Sequence, residues 1–185
     1  MPTSFVRKAA NVFIRPPGPG DEAAFAALVQ QSRGLHEGWV SAPSTPAQFA
    51  SYLRQFGGRV DTHRGFVVAQ NVDHELVGVV NLSEIVHGVF CSAYLGYYAF
   101  AAGAGRGAMS EGLGLVLDTA FRDLKLHRVE ANVQPANRRS LEFLARAGFA
   151  REGYSRRYLK IGGRWRDHVR FAMLAEDWRA LRKRR

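Results

Sequence analysis

The sequence predicts a mixed fold of the α+β class, formed as one domain over residues 1–185. The length of 185 residues is within the usual size of a single domain, and neither a repeat nor a low-complexity linker divides it. Hydrophobic residues make up 46% and charged residues 23%, as in ordinary globular proteins. Helical and extended patterns alternate, with several strands adjacent along the chain. This order favours a mixed sheet over a regular βαβ array.

The first predicted elements are a strand, NVFIR (residues 11–15), and two helices. The first helix follows Asp21, a residue type that caps helix N-termini, and the second follows Thr45, with proline in its first turn. Apolar residues in both helices recur three and four positions apart. Each helix therefore has one face to bury.

Three strands and the longest helical pattern occupy the middle of the chain. GFVVAQ (65–70) and LVGVVNLSEI (76–85) predict a hairpin, and FCSAYLGYYAF (90–100) predicts a third strand. A glycine-rich loop follows. Apolar residues between Leu113 and Leu124 then repeat at helical spacing, which predicts a long helix with one buried face.

The last third of the chain adds three strands and a short helix. HRVEANVQ (127–134) predicts a strand, and Asn137 or its neighbour is expected to open the helix. Two further strands, around 152–160 and 165–174, are expected to meet in a turn at Gly162–Gly163.

Composition restricts the classes of protein to which the chain can belong. The longest nearly apolar run, residues 93–105, is too short to span a bilayer, and the first 13 residues lack the apolar core of a signal peptide. Cys91 is the single cysteine, which excludes a disulfide framework and a cysteine-rich metal site. We therefore expect a cytoplasmic protein without a bound metal.

The net charge of +10 has two interpretations. Dispersed lysines and arginines keep a protein soluble, and basic blocks at a terminus are often solvated tails. The alternative is an acidic partner, either a phosphorylated coenzyme or a particle rich in nucleic acid.

The loop GAGRGAMSEG (103–112) leads from a strand into the long helix. It lacks the lysine of a Walker A loop. Gly103, Gly105 and Ala108 fit the dinucleotide-binding fingerprint, but the loop lies past mid-chain rather than after a first strand. Glycines ahead of a helix also let backbone N–H groups converge on a phosphate. A tight turn that binds nothing is the remaining alternative.

Several segments between residue 65 and Trp178 resemble the Gcn5-related N-acetyltransferase (GNAT) superfamily. They are YLGYYAF, AGRGAMSEG, HRVEANV, QPANRRSLEFLARAGF and EGYSRRYLKIGGRWRDH, in that order. More narrowly, they are similar to its RimJ-type branch of ribosomal-protein-alanine N-acetyltransferases. Ala104 and Met109 depart from the superfamily loop, which usually has Gln or Arg and then Gly or Ala there.

The resemblance implies a twisted, mixed, mostly antiparallel sheet of seven strands, flanked by about four helices. The sheet is expected to splay between its fourth and fifth strands, here Tyr94–Phe100 and Arg128–Gln134. In this family the opening holds the pantetheine arm of acetyl-coenzyme A (acetyl-CoA), and the loop holds its pyrophosphate.

Acetyl-CoA is therefore the implied co-substrate. The residues implied in its binding are Tyr98, Ala99, Phe100, Gly105, Arg106, Gly107, Ala108, Met109, Ser110, Asn137, Ser140 and Phe143. The implied partner is a protein or peptide N-terminus, including that of a ribosomal protein. Neither a membrane nor direct nucleic-acid binding is expected, and the oligomeric state is left open between monomer and homodimer.

The implied chemistry is direct attack of an amine on the thioester through a tetrahedral intermediate. A protein α-amino group titrates near 7.7–8.0, against about 10.4 for lysine, so it needs little deprotonation. Backbone N–H groups near Tyr97 and Tyr98 would polarise the carbonyl. Asn137 would bind pantetheine, and Ser140 would protonate the leaving thiolate as general acid. Asn and Ser at a helix start are also ordinary caps.

The general base is not determined by the sequence. Glu84 is the candidate, and Glu130 and His168 are alternatives. Residues expected to contact the acceptor are Trp39, Glu84, Tyr158 and Asp167, with Trp165 as a further candidate, although aromatic residues at such places more often belong to the core. Two other functions stay open: acetylation of a small amine, and a non-catalytic basic module that binds RNA or the ribosome.

Overall fold

A computed structural model of the protein describes residues 7–58, 60–105 and 107–183. Within these ranges the strands are β1 (Arg7–Lys8), β2 (Val12–Arg15), β3 (Arg64–Gln70), β4 (Leu76–Val86), β5 (Ser92–Ala99), β6 (Arg128–Val133), β7 (Ala150–Ile161) and β8 (Arg164–Leu174). The α-helices are α1 (Glu22–Gln31), α2 (Arg33–His36), α3 (Pro46–Phe56), α4 (Ala108–Asp118), α5 (Arg138–Ala147) and α6 (Ala175–Lys183). None of the helices in the described part of the chain has the length and apolar character needed to cross a membrane.

The chain divides into two compact units, the first formed by Met1–Ser83 and Gly96–Val116 and the second by Glu84–Leu95 and Leu117–Arg185. The strand order is β1-β2-β3-β4-β5 in the first unit and β5-β6-β8-β7 in the second. Strands β1 to β4 pair antiparallel in turn, as do β6 with β8 and β7 with β8. Strand β5 runs parallel to β6. The mixed, mostly antiparallel sheet is confirmed, and the assignment of one domain stays a prediction.

The core of the first unit is aromatic. The Phe25 ring of α1 is fully buried, with its centroid 5.0 Å from that of Phe49 in α3 and 5.3 Å from that of Phe100. Helix α3 begins as predicted, because the Thr45 hydroxyl accepts a hydrogen bond from the Gln48 N–H at 3.3 Å. The two predicted helices therefore bury the apolar faces that their spacing indicates.

Asp21 does not cap α1 through its side chain, contrary to the prediction. Its carboxylate accepts the Gly18 N–H at 2.8 Å and the Arg15 guanidinium at 2.5 and 2.7 Å. These bonds hold the short 3₁₀ turn that precedes the helix. A buried ion pair to Arg15 has taken the oxygens that capping would have needed.

The core of the second unit lies on one face of β6. Val129, Ala131 and Val133 are buried, whereas the alternate residues of this strand are half-buried and polar. Helix α6 is fixed by Trp178, whose buried indole N–H donates to Asp118 Oδ1 at 2.9 Å. Alternation along β6 thus separates an apolar core face from a polar face.

The number of elements differs from the expectation. The described residues contain eight strands where seven were expected, and six α-helices where about four were expected. The additional elements include the two-residue β1 and the four-residue α2, which are too short for periodicity to detect. The long helix also changes form, since α4 continues as a π-helical turn over Thr119–Asp123.

Candidate active site

The glycine-rich loop lies in the first unit and connects β5 to α4. Gly105 and Gly107 have φ values of +85° and +78°, in the left-handed region that other residues avoid. A Cβ at either position would meet no atom within 4 Å, so open space lies beside the backbone. Arg106, which the resemblance places in coenzyme binding, lies outside the described residues.

The N-terminus of α4 presents the first backbone donors after the loop. The Ser110 and Glu111 N–H groups both donate to the Gly107 carbonyl, at 2.9 and 3.1 Å. Ser110 was among the predicted phosphate donors, and its N–H is engaged inside the helix. The backbone N–H groups of Gly105, Gly107, Ala108 and Met109, which precede Ser110, remain the predicted phosphate donors.

Met109, which departs from the family pattern, has a specific contact in β4. A Cβ added at Gly78 would lie 2.5 Å from the Met109 sulfur and 2.5 Å from the Tyr98 carbonyl oxygen. Gly78 therefore leaves the room that the thioether fills. Gly103 likewise lets Val77 approach its backbone closely, because a Cβ added at Gly103 would lie 2.6 Å from Val77 Cγ1.

Ser32, which follows α1, and His36 of α2 fix the segment that enters the loop, and we refer to these two residues as the clamp. His36 Nε2 lies 2.8 Å from the Ala99 carbonyl oxygen, and the Ala101 N–H donates to Ser32 Oγ at 2.9 Å. The Phe100 N–H between them donates to the Val77 carbonyl at 2.8 Å. Sequence reasoning missed Ser32 and His36, because an isolated serine and histidine four residues apart carry no distinctive pattern.

Two buried polar atoms, one in the clamp and one beside it, have no hydrogen-bond partner among the described residues. They are His36 Nδ1 and Tyr98 Oη, and the two rings are 5.2 Å apart between centroids. Burial, and to a smaller extent Tyr52, raises the pKa of Tyr98 well above its ordinary value. The phenol is therefore neutral, and Phe100, also predicted to bind coenzyme, is fully buried beside it.

The predicted pantetheine and acid residues share one face of α5 in the second unit. Asn137, Ser140 and Phe143 recur every three residues and are all half-buried. Asn137 Oδ1 accepts the Ser140 N–H at 3.1 Å, so Asn137 is the helix N-cap. The cap interpretation holds for Asn137, and the Ser140 hydroxyl is not the capping group.

The acidic candidates for the base differ in their surroundings. Glu130 lies 2.9 Å from Arg128 Nε, and the same guanidinium contacts Glu152 at 2.5 Å. Glu84 is exposed, and its φ of +49° within β4 is a conformation that non-glycine residues rarely adopt. Strain of this kind is concentrated at functional sites. Of the two carboxylates, Glu84 is the accessible one.

His168 is a poor candidate for a base that meets solvent. Its side chain is 3% exposed, and Nδ1 donates to the Arg166 carbonyl at 3.0 Å. Burial lowers the pKa of His168 below its ordinary value. The imidazole therefore belongs to the packing of β8.

Two tyrosines connect β5 to β7 within the second unit. The hydroxyls of Tyr94 and Tyr158 lie 3.2 Å apart. This hydrogen bond, together with burial, raises the pKa of Tyr94 to about 12. Tyr158 was predicted to contact the acceptor, and Tyr94 is a partner that the sequence did not identify.

Asp167, also predicted to contact the acceptor, has both carboxylate oxygens engaged. Oδ2 accepts the Tyr154 hydroxyl at 2.5 Å and Oδ1 accepts the Arg157 N–H at 2.7 Å. These bonds lower the pKa of Asp167. Of the two predicted tryptophans, Trp165 is 61% exposed on the second unit, and Trp39 is half-buried on the first.

Comparison with known proteins identifies the class to which this fold and loop belong. A family model described as an acetyltransferase (GNAT) domain matches residues 11–150. The chain belongs to the GNAT acetyltransferase family and is an N-acetyltransferase. The use of acetyl-CoA as co-substrate is a general property of that family. The described residues contain no group of histidine, cysteine, aspartate and glutamate side chains that would hold a metal ion.

The relatives include N-acetyltransferases, one of them specific for an alanine of a ribosomal protein. The chain is 33% identical over 178 residues to a probable N-acetyltransferase, YjcK, of Bacillus subtilis, covering 92% of this chain and 97% of the relative. It is 43% identical over 106 residues to the [ribosomal protein uS5]-alanine N-acetyltransferase of Escherichia coli, covering 57% of this chain and 55% of that protein.

Solved structures share the fold over most of their length. RimJ of Mycobacterium smegmatis in complex with CoA-disulfide superimposes with a TM-score of 0.83 at 29% identity, covering 94% of this chain and 88% of RimJ. Spermidine N-acetyltransferase of Vibrio cholerae, in complex with CoA and spermine, has a TM-score of 0.76 at 23% identity, covering 90% and 97%. The second similarity concerns the fold alone.

Proposed function

We propose that the protein transfers the acetyl group of acetyl-CoA to the α-amino group of a protein or peptide N-terminus, in the manner of the ribosomal-protein-alanine enzymes. The similarity to a uS5-alanine acetyltransferase over 106 residues supports this acceptor class. The observation that carries the coenzyme assignment is the conformation of the loop between β5 and α4.

The loop fits the phosphates of a coenzyme. Left-handed Gly105 and Gly107 have open space where side chains would stand, and α4 begins directly after them. Backbone N–H groups at a helix N-terminus, together with the helix dipole, attract anions. Gly105, Gly107, Ala108 and Met109 would hold the pyrophosphate, and Asn137 and Phe143 would contact the pantetheine arm.

The remaining residues would supply the proton transfers. Glu84 would accept the proton of the attacking amine, and the Ser140 hydroxyl would donate one to the departing thiolate. Backbone N–H groups near Tyr97 and Tyr98 would stabilise the developing oxyanion. Because an α-amino group is partly neutral near pH 8, an exposed carboxylate or a water held by it is a sufficient base.

A small amine is the second candidate acceptor, because the spermidine acetyltransferase fold is closely similar. The charge of the exposed β7–β8 hairpin opposes a polycation: between Arg151 and Arg170 there are seven lysines and arginines and two acidic residues. Membership of an acetyltransferase family favours an enzyme over a non-catalytic RNA-binding module.

The test is an acceptor screen that measures thiol release from acetyl-CoA. Peptides beginning with alanine should be acetylated with a higher kcat/KM than spermidine or free amino acids, and mass spectrometry should place the acetyl group on the α-amine. Acetylation of spermidine but not of any peptide would overturn the proposed acceptor.

A further inference from the structure

Strand β7 contains an irregularity opposite a single residue of β8. Ser155 pairs with His168 and Leu159 pairs with Arg166, so Arg156, Arg157 and Tyr158 stand opposite Asp167 alone. Arg157 has a φ of +48°. We refer to residues 156–158 as the β7 bulge. A left-handed arginine costs free energy and persists only where its surroundings hold it.

The β7 bulge is held from two sides. Asp167 binds the Arg157 N–H within the bulge at 2.7 Å, and the Tyr154 hydroxyl, which precedes the bulge, at 2.5 Å. The Tyr158 hydroxyl meets that of Tyr94 in β5 at 3.2 Å. Specific hydrogen bonds therefore stabilise the bulge, which is not a frayed edge of the sheet.

A cavity of about 430 Å³ lies against the β7 bulge, lined by Arg156, Arg157 and Asp167. Both oxygens of the Asp167 carboxylate already accept hydrogen bonds from Tyr154 and from the Arg157 backbone. Among the described residues, neither guanidinium has a side-chain hydrogen bond or close ion pair. Two positive charges against one carboxylate leave the cavity wall with a net positive charge.

We propose that the β7 bulge binds a carboxylate of the acceptor, and that the enzyme therefore prefers a polypeptide with an acidic side chain near its N-terminus. The inference rests on the proposed acceptor class and narrows it. Guanidinium groups match carboxylates through paired, charge-assisted hydrogen bonds. The same two charges repel a polyamine. Tyr158 connects the bulge to β5, the strand on which the thioester is expected to lie.

The experiment compares alanine-initiated peptides that differ only by Glu or Gln at position 2, 3 or 4. The wild-type enzyme should show a kcat/KM about tenfold higher for the Glu peptide at one of these positions. The R156Q/R157Q variant should lose this preference while the Gln peptide and the KM for acetyl-CoA stay unchanged. Fluorescence anisotropy of the same labelled peptides, without coenzyme, should show the same loss of affinity.

The matched control is K160Q/R164Q, which removes two positive charges from the same hairpin outside the bulge. It should keep the preference for Glu. Equal losses in both double variants would show that only the general charge matters, and would overturn the proposal. Circular dichroism and thermal melting of each variant would establish that it is folded.

Other outcomes separate this proposal from the proposed function. Equal turnover of Glu and Gln peptides by the wild type would overturn the carboxylate site and leave peptide acetylation intact. If no peptide is acetylated, the proposed function fails, and anisotropy still tests the bulge directly. Loss of binding to an RNA oligonucleotide in R156Q/R157Q, with peptide binding unchanged, would assign the bulge to nucleic acid and overturn the proposal.

Discussion

His36 Nε2 lies 2.8 Å from the carbonyl oxygen of Ala99, and this contact joins the short helix α2 to the last residue of β5. His36 is 6% exposed, so the hydrogen bond is protected from water. Ser32 accepts the Ala101 N–H two residues further on. The direction in which the chain enters the glycine-rich loop is thus fixed by residues far from it in sequence.

Replacing His36 with alanine should weaken both folding and coenzyme binding. The change removes the side chain that contacts the carbonyl of half-buried Ala99, which should cost about 1–3 kcal/mol. Because the segment that enters the glycine-rich loop is then no longer fixed, the KM for acetyl-CoA should also rise. Urea unfolding and steady-state kinetics measure the two effects, with exposed His87→Ala as the control that should change neither.

His36→Gln provides the contrasting variant, because its amide N–H can replace the ring donor. It should recover part of the KM increase. If His36→Ala lowers stability but leaves the KM for acetyl-CoA unchanged, the contact supports the fold only and does not position the loop.

Gly107→Val should impair coenzyme binding more than an equivalent substitution elsewhere. Gly107 and Gly88 have φ values of +78° and +77°, and a Cβ at either would meet nothing within 4 Å. Both valine variants should therefore lose about 1–2 kcal/mol of stability from backbone strain. Calorimetric titration with CoA should show weakened binding only for Gly107→Val.

Asparagine at position 107 distinguishes the effect of backbone strain from the effect of a side chain that obstructs the phosphate site. It tolerates the left-handed conformation better than valine, so Gly107→Asn should fold nearly normally and still bind CoA weakly. Unchanged CoA affinity in both folded Gly107 variants would refute the phosphate assignment.

Periodicity predicted the elements that bury a continuous apolar face. The hairpin of β3 and β4, the capped start of α3 at Thr45 and the turn at Gly162–Gly163 all follow from local pattern and turn chemistry. The Asp21 cap failed because a distant partner, Arg15, took its carboxylate. Local propensity is a weak guide where a tertiary contact competes for the same atoms.

The candidate site was predictable only where a motif marks it. The loop glycines and the Asn137 cap stand in recognisable spacing, and the structure gives them the expected backbone geometry. The functions expected of Asp167 and His168 rested on residue type alone. Their partners, the Arg157 N–H and the Arg166 carbonyl, are backbone groups that depend on the register of β7 and β8, which the sequence does not specify.

Asn137 and Ser140 should respond differently to substitution by alanine. Asn137→Ala removes the cap of α5 and should cost about 1 kcal/mol of stability. Ser140→Ala keeps that cap, so its melting temperature should change little, while loss of a general acid should lower kcat by about 10²–10⁴-fold. A fully active Ser140→Ala enzyme would remove this residue from the mechanism.

Glu84→Gln should lower turnover most at low pH, where more of the acceptor amine is protonated and a carboxylate is needed to deprotonate it. The pH–rate profile of kcat/KM for an alanine-initiated peptide measures this. Glu75→Gln is the control, an exposed glutamate of the first unit whose change should leave the profile in place. If the profile of Glu84→Gln also stays in place, the base lies elsewhere.

The buried His168 should make the folded protein sensitive to acid. Burial lowers its pKa in the folded state below the value of about 6.5 that it has when unfolded. Above pH 6.5 both states are neutral and the group has no effect on stability. As the pH falls below 6.5 the unfolded state binds the proton first, so the free energy of unfolding decreases until the folded pKa is passed.

His168→Gln should therefore reduce the loss of stability between pH 8 and pH 5, because glutamine does not titrate and its amide can donate to the Arg166 carbonyl. Urea unfolding at both pH values measures the difference for the wild type and the variant. The exposed His127→Gln is the control and should lose stability with acid as the wild type does. If His168→Gln loses as much stability as the wild type over this range, the acid sensitivity arises from other groups, and the neutral buried imidazole does not contribute to it.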